Sequence, residues 1–89
     1  MATVHLLITG KVQGVFFRAS AKEKAIELAL SGWVKNTPDE NVEATVSGTP
    51  EAIENFVAWC RQGPSRAQVT GVQVTPKPDS GFSGFEVIR

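Results

Sequence analysis

The sequence predicts an α+β sandwich: one antiparallel sheet, two helices packed on a single face, and a short extra strand at the C-terminus. Three observations predict it. Several segments alternate apolar and polar residues with period two, the mark of a half-buried strand. Two others space their apolar residues as a helix does. The segments follow one another as strand, helix, strand, strand, helix, strand, and a single sheet covered on one face buries both amphipathic helices at once.

The first strand spans Thr3 to Gly10. Val4, Leu6 and Ile8 face one way, and His5, Leu7 and Thr9 the other; the apolar Leu7 on the second face suits a central strand. A segment with two glycines, Gly10 to Arg18, leads into Ala19–Leu30, which is rich in Ala, Leu, Lys and Glu, all strong helix formers. Ala21, Ala25, Leu28 and Ala29 give that helix its apolar stripe. Gly32 stands where a left-handed cap is often needed. Gly32 to Thr37 and Val42 to Gly48 read as a hairpin around the turn composition Pro38-Asp39-Glu40-Asn41.

Thr49-Pro50-Glu51 is a helix start: a capping hydroxyl, a proline at the first helical position, then an acid. Ile53, Phe56, Val57 and Cys60 continue it at i, i+3, i+4 and i+7, and Gly63-Pro64 stops it. Ala67 to Thr75 is a strand whose alternation shifts at Gly71, the mark of a bulge. Residues 76–81 read as a loop, and Phe85 and Val87 alternate in a short last strand. The whole is the ferredoxin-like βαββαβ arrangement, expected as one domain over residues 1–89. That outline hosts many functions and decides none.

Composition narrows the chemistry. Nine Lys and Arg balance nine Asp and Glu, so the strongly basic footprint of a nucleic-acid binder is missing. His5 is the only histidine and Cys60 the only cysteine. A nucleophilic triad would have to use one of those two, and a zinc site rich in His and Cys cannot be built. No internal disulfide can form, which fits a reducing compartment. No basic stretch followed by a long apolar run opens the chain, so neither a secretory signal nor a membrane span is expected, and the expected location is cytoplasmic.

The chemistry concentrates between Gly10 and Arg18. Glycines let the backbone turn tightly and approach a ligand. Successive N–H groups can then converge on an anion, and the following helix adds its positive end. Arg18, at the junction, offers a planar fork of donors that matches phosphate. Glycine-containing turns between strand and helix are common, however, and an arginine beside one is often only solvated. The pattern by itself admits both readings. It is not a Walker loop, since the Gly-Lys-Ser/Thr ending is missing.

The segment Ile8-Thr9-Gly10-Lys11-Val12-Gln13-Gly14-Val15-Phe16-Phe17-Arg18 resembles the acylphosphatase signature, G-x-V-Q-G-V-x-F-R. A second signature of that family is matched by Gly32-Trp33-Val34-Lys35-Asn36-Thr37-Pro38-Asp39, with Val42 and Gly48 at the family's spacing. The ending Phe85-Glu86-Val87-Ile88-Arg89 resembles the family's C-terminus. The resemblance implies that Arg18 binds phosphate, that Asn36 orients the attacking water, and that the backbone N–H groups of Gln13, Gly14, Val15 and Phe16 cradle the phosphate. It implies acyl phosphates as substrates, inorganic phosphate as product or inhibitor, no cofactor and no metal. No nucleic-acid or membrane partner is implied, and a monomer is expected. One departure stands out: Glu40 occupies a hairpin position where the family usually has glycine, and the adjoining Asn41 is the residue that better tolerates a left-handed backbone.

Other residues have duller readings. His5 reads as a half-buried structural histidine, Cys60 as core, and Trp33 and Trp59 as core or edge anchors. Lys35 alternates with Asn36 and so points the other way. Thr37 shares the face of Lys35 and is a candidate supporting group. Asp39, Glu40 and Glu43 read as a solvated hairpin tip rather than a metal site. Two non-enzymatic alternatives share the outline. One is an RNA-binding module, since Gly81-Phe82-Ser83-Gly84-Phe85-Glu86-Val87 superficially resembles an RNP1 segment. The other is a small-ligand binding module. Against the first stand the neutral charge and the segment's place at the end of the chain.

Overall fold

In a computed structural model of the chain, residues 1–79 and 81–88 are described. Ser80, within the expected 76–81 loop, and Arg89, within the C-terminal resemblance, lie outside the described residues. The elements are β1 (Ala2–Lys11), α1 (Phe17–Glu27), β2 (Ser31–Asn36), β3 (Val42–Gly48), α2 (Pro50–Gln62), β4 (Gln68–Lys77) and β5 (Phe85–Ile88). The strands form one sheet in the order β4-β1-β3-β2-β5. As the alternation requires, Leu6 and Ile8 on β1, Val34 on β2, and Val42, Ala44 and Val46 on β3 are buried. They meet Phe17, Ala21 and Ala25 of α1 and Ile53, Phe56 and Cys60 of α2 in one core. Trp59 closes it, packing against Phe17 and Phe56 with ring centroids 5.4 and 6.3 Å apart. Burial also pushes the Cys60 thiol far up, so it stays protonated as a packing group.

The sheet is mixed, not wholly antiparallel. β1 pairs antiparallel with β3 and β4, and β2 with β3, but β5 runs parallel to β2. The reason is topological. The chain leaves β4 beside Thr3, at the end of the sheet where β2 begins. It crosses that end to the opposite edge, so β5 enters from the same end as β2. Gly32 N–H donates to the Gly84 carbonyl at 2.9 Å and fixes the entry.

β4 extends through Pro76 and Lys77, where a loop was expected; Pro76 is paired with Val4. Proline is tolerated there because β4 is an edge strand. The register shift falls where Thr9 faces Gly71 and Gly10 faces Val69, leaving Thr70 as the extra residue beside Gly71.

The first helix ends differently from expectation. Ala29, not Gly32, takes the left-handed conformation, with φ 58. Ala29 N–H donates to Ile26 O at 3.0 Å and Leu30 N–H to Ala25 O at 2.8 Å. This is a Schellman cap, and Leu30 and Ala25 are both buried in the core. Ala29 is therefore exposed and outside the apolar stripe. Gly32 is required for another reason: inside β2, with φ 139, any Cβ there would overlap the Thr45 carbonyl of the neighbouring strand. Alanine at a left-handed position is strained relative to glycine by roughly 1 kcal/mol. Ala29→Gly is therefore expected to raise unfolding stability by about that amount in urea titration, with an unchanged m-value.

Candidate active site

α1 begins without a side-chain cap. Its N-cap residue is Phe16, left-handed at φ 64 and unable to accept from the first-turn amides, and no acidic residue occupies that turn. Most helices satisfy these N–H groups with Ser, Thr or Asp. Before it, Gly14 is also left-handed, at φ 73, and Val15 between the two is not. Alternating hands over successive residues turns their N–H groups toward a common point, the backbone nest that holds anions. Open space surrounds the position of a Cβ at Gly14, so the demand for glycine there comes from φ and not from crowding. Among the described residues, none accepts a hydrogen bond from the amides of residues 13–16. Among the described residues, these four amides and the start of α1 thus have no internal acceptor.

Arg18 is the second residue of α1 and half-buried. Among the described residues, none pairs with its guanidinium. Its charge therefore adds to the positive end of the helix.

Asn36 is the last residue of β2. It lines the same groove as Gly14, Phe16 and Arg18, and a smaller cleft with Arg18, Lys35 and Ile88. Its Oδ1 is buried and, among the described residues, has no hydrogen-bond partner. Buried amide oxygens are nearly always bonded, so this one stands out as an acceptor in the lining of the groove.

The side chain of Gln13 does work that its place in the motif did not reveal. Its Nε2 donates to Thr37 O at 2.9 Å and to Asn41 O at 2.8 Å. It thereby ties the loop to the turn that follows Asn36. Sequence reading gave Gln13 only its backbone N–H, because no local pattern shows what a side chain reaches 24 and 28 residues away. The turn itself is built by Thr37. Thr37 Oγ1 donates to Asp39 Oδ1 at 2.6 Å and accepts from Asn41 N–H at 3.0 Å. Glu40, not Asn41, adopts the left-handed backbone, at φ 68. The hydrogen bond from Glu40 N–H to Thr37 O places the positive φ at that residue.

Lys35 faces away from Asn36, as strand alternation requires. Its Nζ lies 3.3 Å from Glu43 Oε1 and 5.4 Å from the centre of the Trp33 ring. His5 Nε2 lies 3.0 Å from Glu43 Oε2. Glu43 is thus not part of a solvated hairpin tip. It sits on β3, with its side chain 23% exposed, between two basic groups. Partial burial pushes its carboxyl up, but the hydrogen bonds and charge of His5 and Lys35 outweigh that and hold it below the usual carboxylate value. His5 is thereby engaged on the sheet face that the helices leave open. Among the described residues, no group of three or more His, Cys, Asp or Glu side chains is placed to hold a metal ion, and no helix is long and apolar enough to cross a membrane.

Fold and groove together define a class: a small α+β domain of ferredoxin-like outline with an open groove at its first strand–helix junction. Comparison with known proteins makes this specific. The family model described as acylphosphatase matches residues 4–87. The acylphosphatase of Methylococcus capsulatus is 49% identical, over 100% of this chain and 98% of its own length. Solved acylphosphatase structures from Coxiella burnetii and Bacillus subtilis superpose with TM-scores of 0.95 and 0.96, at 39% and 32% identity. The first match covers 98% of this chain and 92% of that one; the second covers both completely. The chain belongs to the acylphosphatase family, and as such it is a hydrolase.

Proposed function

We propose that the chain hydrolyses the carboxyl–phosphate bond of acyl phosphates by direct attack of water, without a metal, with Arg18 and the amides of Gln13, Gly14, Val15 and Phe16 holding the phosphoryl group and Asn36 placing the water. The observation that carries this reading is the pairing, in one groove, of an uncapped loop beside Arg18 with a buried amide oxygen that has no partner among the described residues.

The chemistry asks for little else. A water oxygen forms a bond to phosphorus as the bond from phosphorus to the acyl oxygen breaks, and the electron pair leaves with the carboxylate. The conjugate acid of that leaving group has a pKa of about 4, so it departs unprotonated and needs no general acid. What remains is charge stabilisation on the phosphoryl oxygens and alignment of the nucleophile. The Asn36 amide can accept from the water and donate to the phosphate, but it is not a base. The water's proton therefore passes to a phosphate oxygen. Inorganic phosphate, the product, occupies the same cradle and inhibits competitively.

The test is turnover of benzoyl phosphate, with release of one benzoate and one phosphate per event. Activity is expected to persist in excess EDTA and to show no sharp bell-shaped pH profile near neutrality. No turnover, or loss of activity in EDTA that added metal restores, would overturn the reading. Turnover also separates it from the RNA- and ligand-binding alternatives, which predict none.

A further inference from the structure

α2 leaves one of its flanks open. Between that helix and the helix-covered face of β1 and β4 runs a largely apolar groove, lined by Val4, Ile53, Val57 and Val74. Val74 is 39% exposed, one of the few large apolar side chains that water reaches. The groove lies at the β4 edge of the sheet, whereas the site described above lies against α1 and β5 at the other edge. A single exposed apolar residue needs no explanation, but a continuous apolar strip between a helix and an edge strand gains by being covered.

Two charged side chains rim this groove. Glu54 and Arg61 stand on the same stripe of α2, seven residues apart, and both are exposed. At 1.5 Å per residue they are about 10.5 Å apart along the axis, too far to pair with each other. The positions three and four residues from each, toward the other, hold Val57 and Ala58, so no partner stands between them on the helix. Among the described residues, neither makes an ion pair.

A surface that binds its own copy about a two-fold axis must be self-complementary. This stripe meets that condition. Glu54 and Arg61 are equidistant from the midpoint between Val57 and Ala58. A two-fold axis through that midpoint lays one α2 antiparallel to another and sets each Glu54 against Arg61 of the partner subunit. Ala58, small and exposed, stands at the crossing, where it lets two helices approach to the usual separation of about 8–10 Å. The edge of β4 is a poorer meeting point. A bulge at Thr70 and Gly71 interrupts it at one end, and Pro76 and Lys77 guard the other.

We propose that the groove between α2 and β4 is a homodimer interface, in which two copies of this chain pack α2 antiparallel against α2 with a Glu54–Arg61 ion pair on either side of the axis. One helix and part of one strand from each copy make a smaller contact than the roughly 1,200–2,000 Å² of a stable complex. The dimer is therefore weak, with a Kd above about 1 μM. The monomer expected from the sequence is its dilute form.

Sedimentation equilibrium of the full chain, from roughly 10 μM to 1 mM, tests this. The weight-average mass is expected to rise with concentration from 9.6 kDa toward twice that value. Glu54→Arg and Arg61→Glu each replace two attractions across the axis by two repulsions, and each is expected to weaken association about tenfold. Mixed in equal amounts, the two variants are expected to associate as the native chain does, because each supplies the charge that the other lacks. Ala58→Glu sets two carboxylates face to face at the axis and is expected to abolish association. A native mass that stays at 9.6 kDa over the whole range would overturn the dimer. Association that either charge reversal leaves unchanged, or that the mixture fails to restore, would overturn this interface. All three positions are exposed, and unfolding midpoints near the native value are expected, which makes a lower mass a lost contact and not a lost fold.

Discussion

Arg18→Ala is expected to lower kcat/KM for acyl phosphate hydrolysis by about 10³-fold or more, the scale on which an arginine supports phosphoryl transfer. Its guanidinium lines the same groove as Gly14 and Phe16, and among the described residues it has no carboxylate partner to release. Its loss therefore falls on the ligand and leaves the fold intact. The same variant should bind inorganic phosphate much more weakly, as read by inhibition or calorimetry, while its unfolding midpoint stays near that of the native chain. Arg18→Lys should recover only part of the activity, because an ammonium restores charge without the two-pronged donor geometry. Retained turnover in Arg18→Ala would remove this residue from the mechanism.

Asn36→Ala should separate rate from binding. The residue ends β2 with a buried oxygen that no described residue engages, so truncating it breaks no hydrogen bond to any of them at that atom. If that oxygen aligns water, kcat falls about 10²-fold, as when one positioned polar group is taken from a reacting centre. The inhibition constant for phosphate should change only a few-fold, since the amides and Arg18 remain. Steady-state kinetics with phosphate as competitor give both numbers. Equal losses in the two would mean that Asn36 holds the phosphate and does not place the nucleophile.

The parts of this molecule legible in its sequence were those written in local pattern. Thr49-Pro50-Glu51 announced α2, and Thr49 Oγ1 does accept from Ala52 N–H at 3.1 Å. The alternation of Val42, Ala44 and Val46 placed β3 with its inward face correct. The turn from Gly10 into the helix was legible from its glycines, but the pattern left an anion-binding and a solvated reading of Arg18 open, and only the resemblance chose between them. What escaped was decided by distant parts of the chain. The parallel direction of β5 depends on which end of the sheet β4 exits, which no window of sequence contains. The left-handed conformations of Ala29 and Glu40 break the preference for glycine or asparagine; each is held by hydrogen bonds of its own turn. Glu43 looked like part of an acidic tip because Asp39 and Glu40 precede it, yet its partners come from β1 and β2.

The two carbonyls held by Gln13 Nε2 have a dynamic consequence. One amide group couples the loop proposed to hold the phosphate to the turn after Asn36, the residue proposed to place the water, so neither can drift without straining the other. Fluctuations that would spoil the attack distance are thereby turned into shared, in-phase motion. Slow opening of this part of the molecule, followed by deuterium uptake, should then unprotect both segments in a single event with one rate.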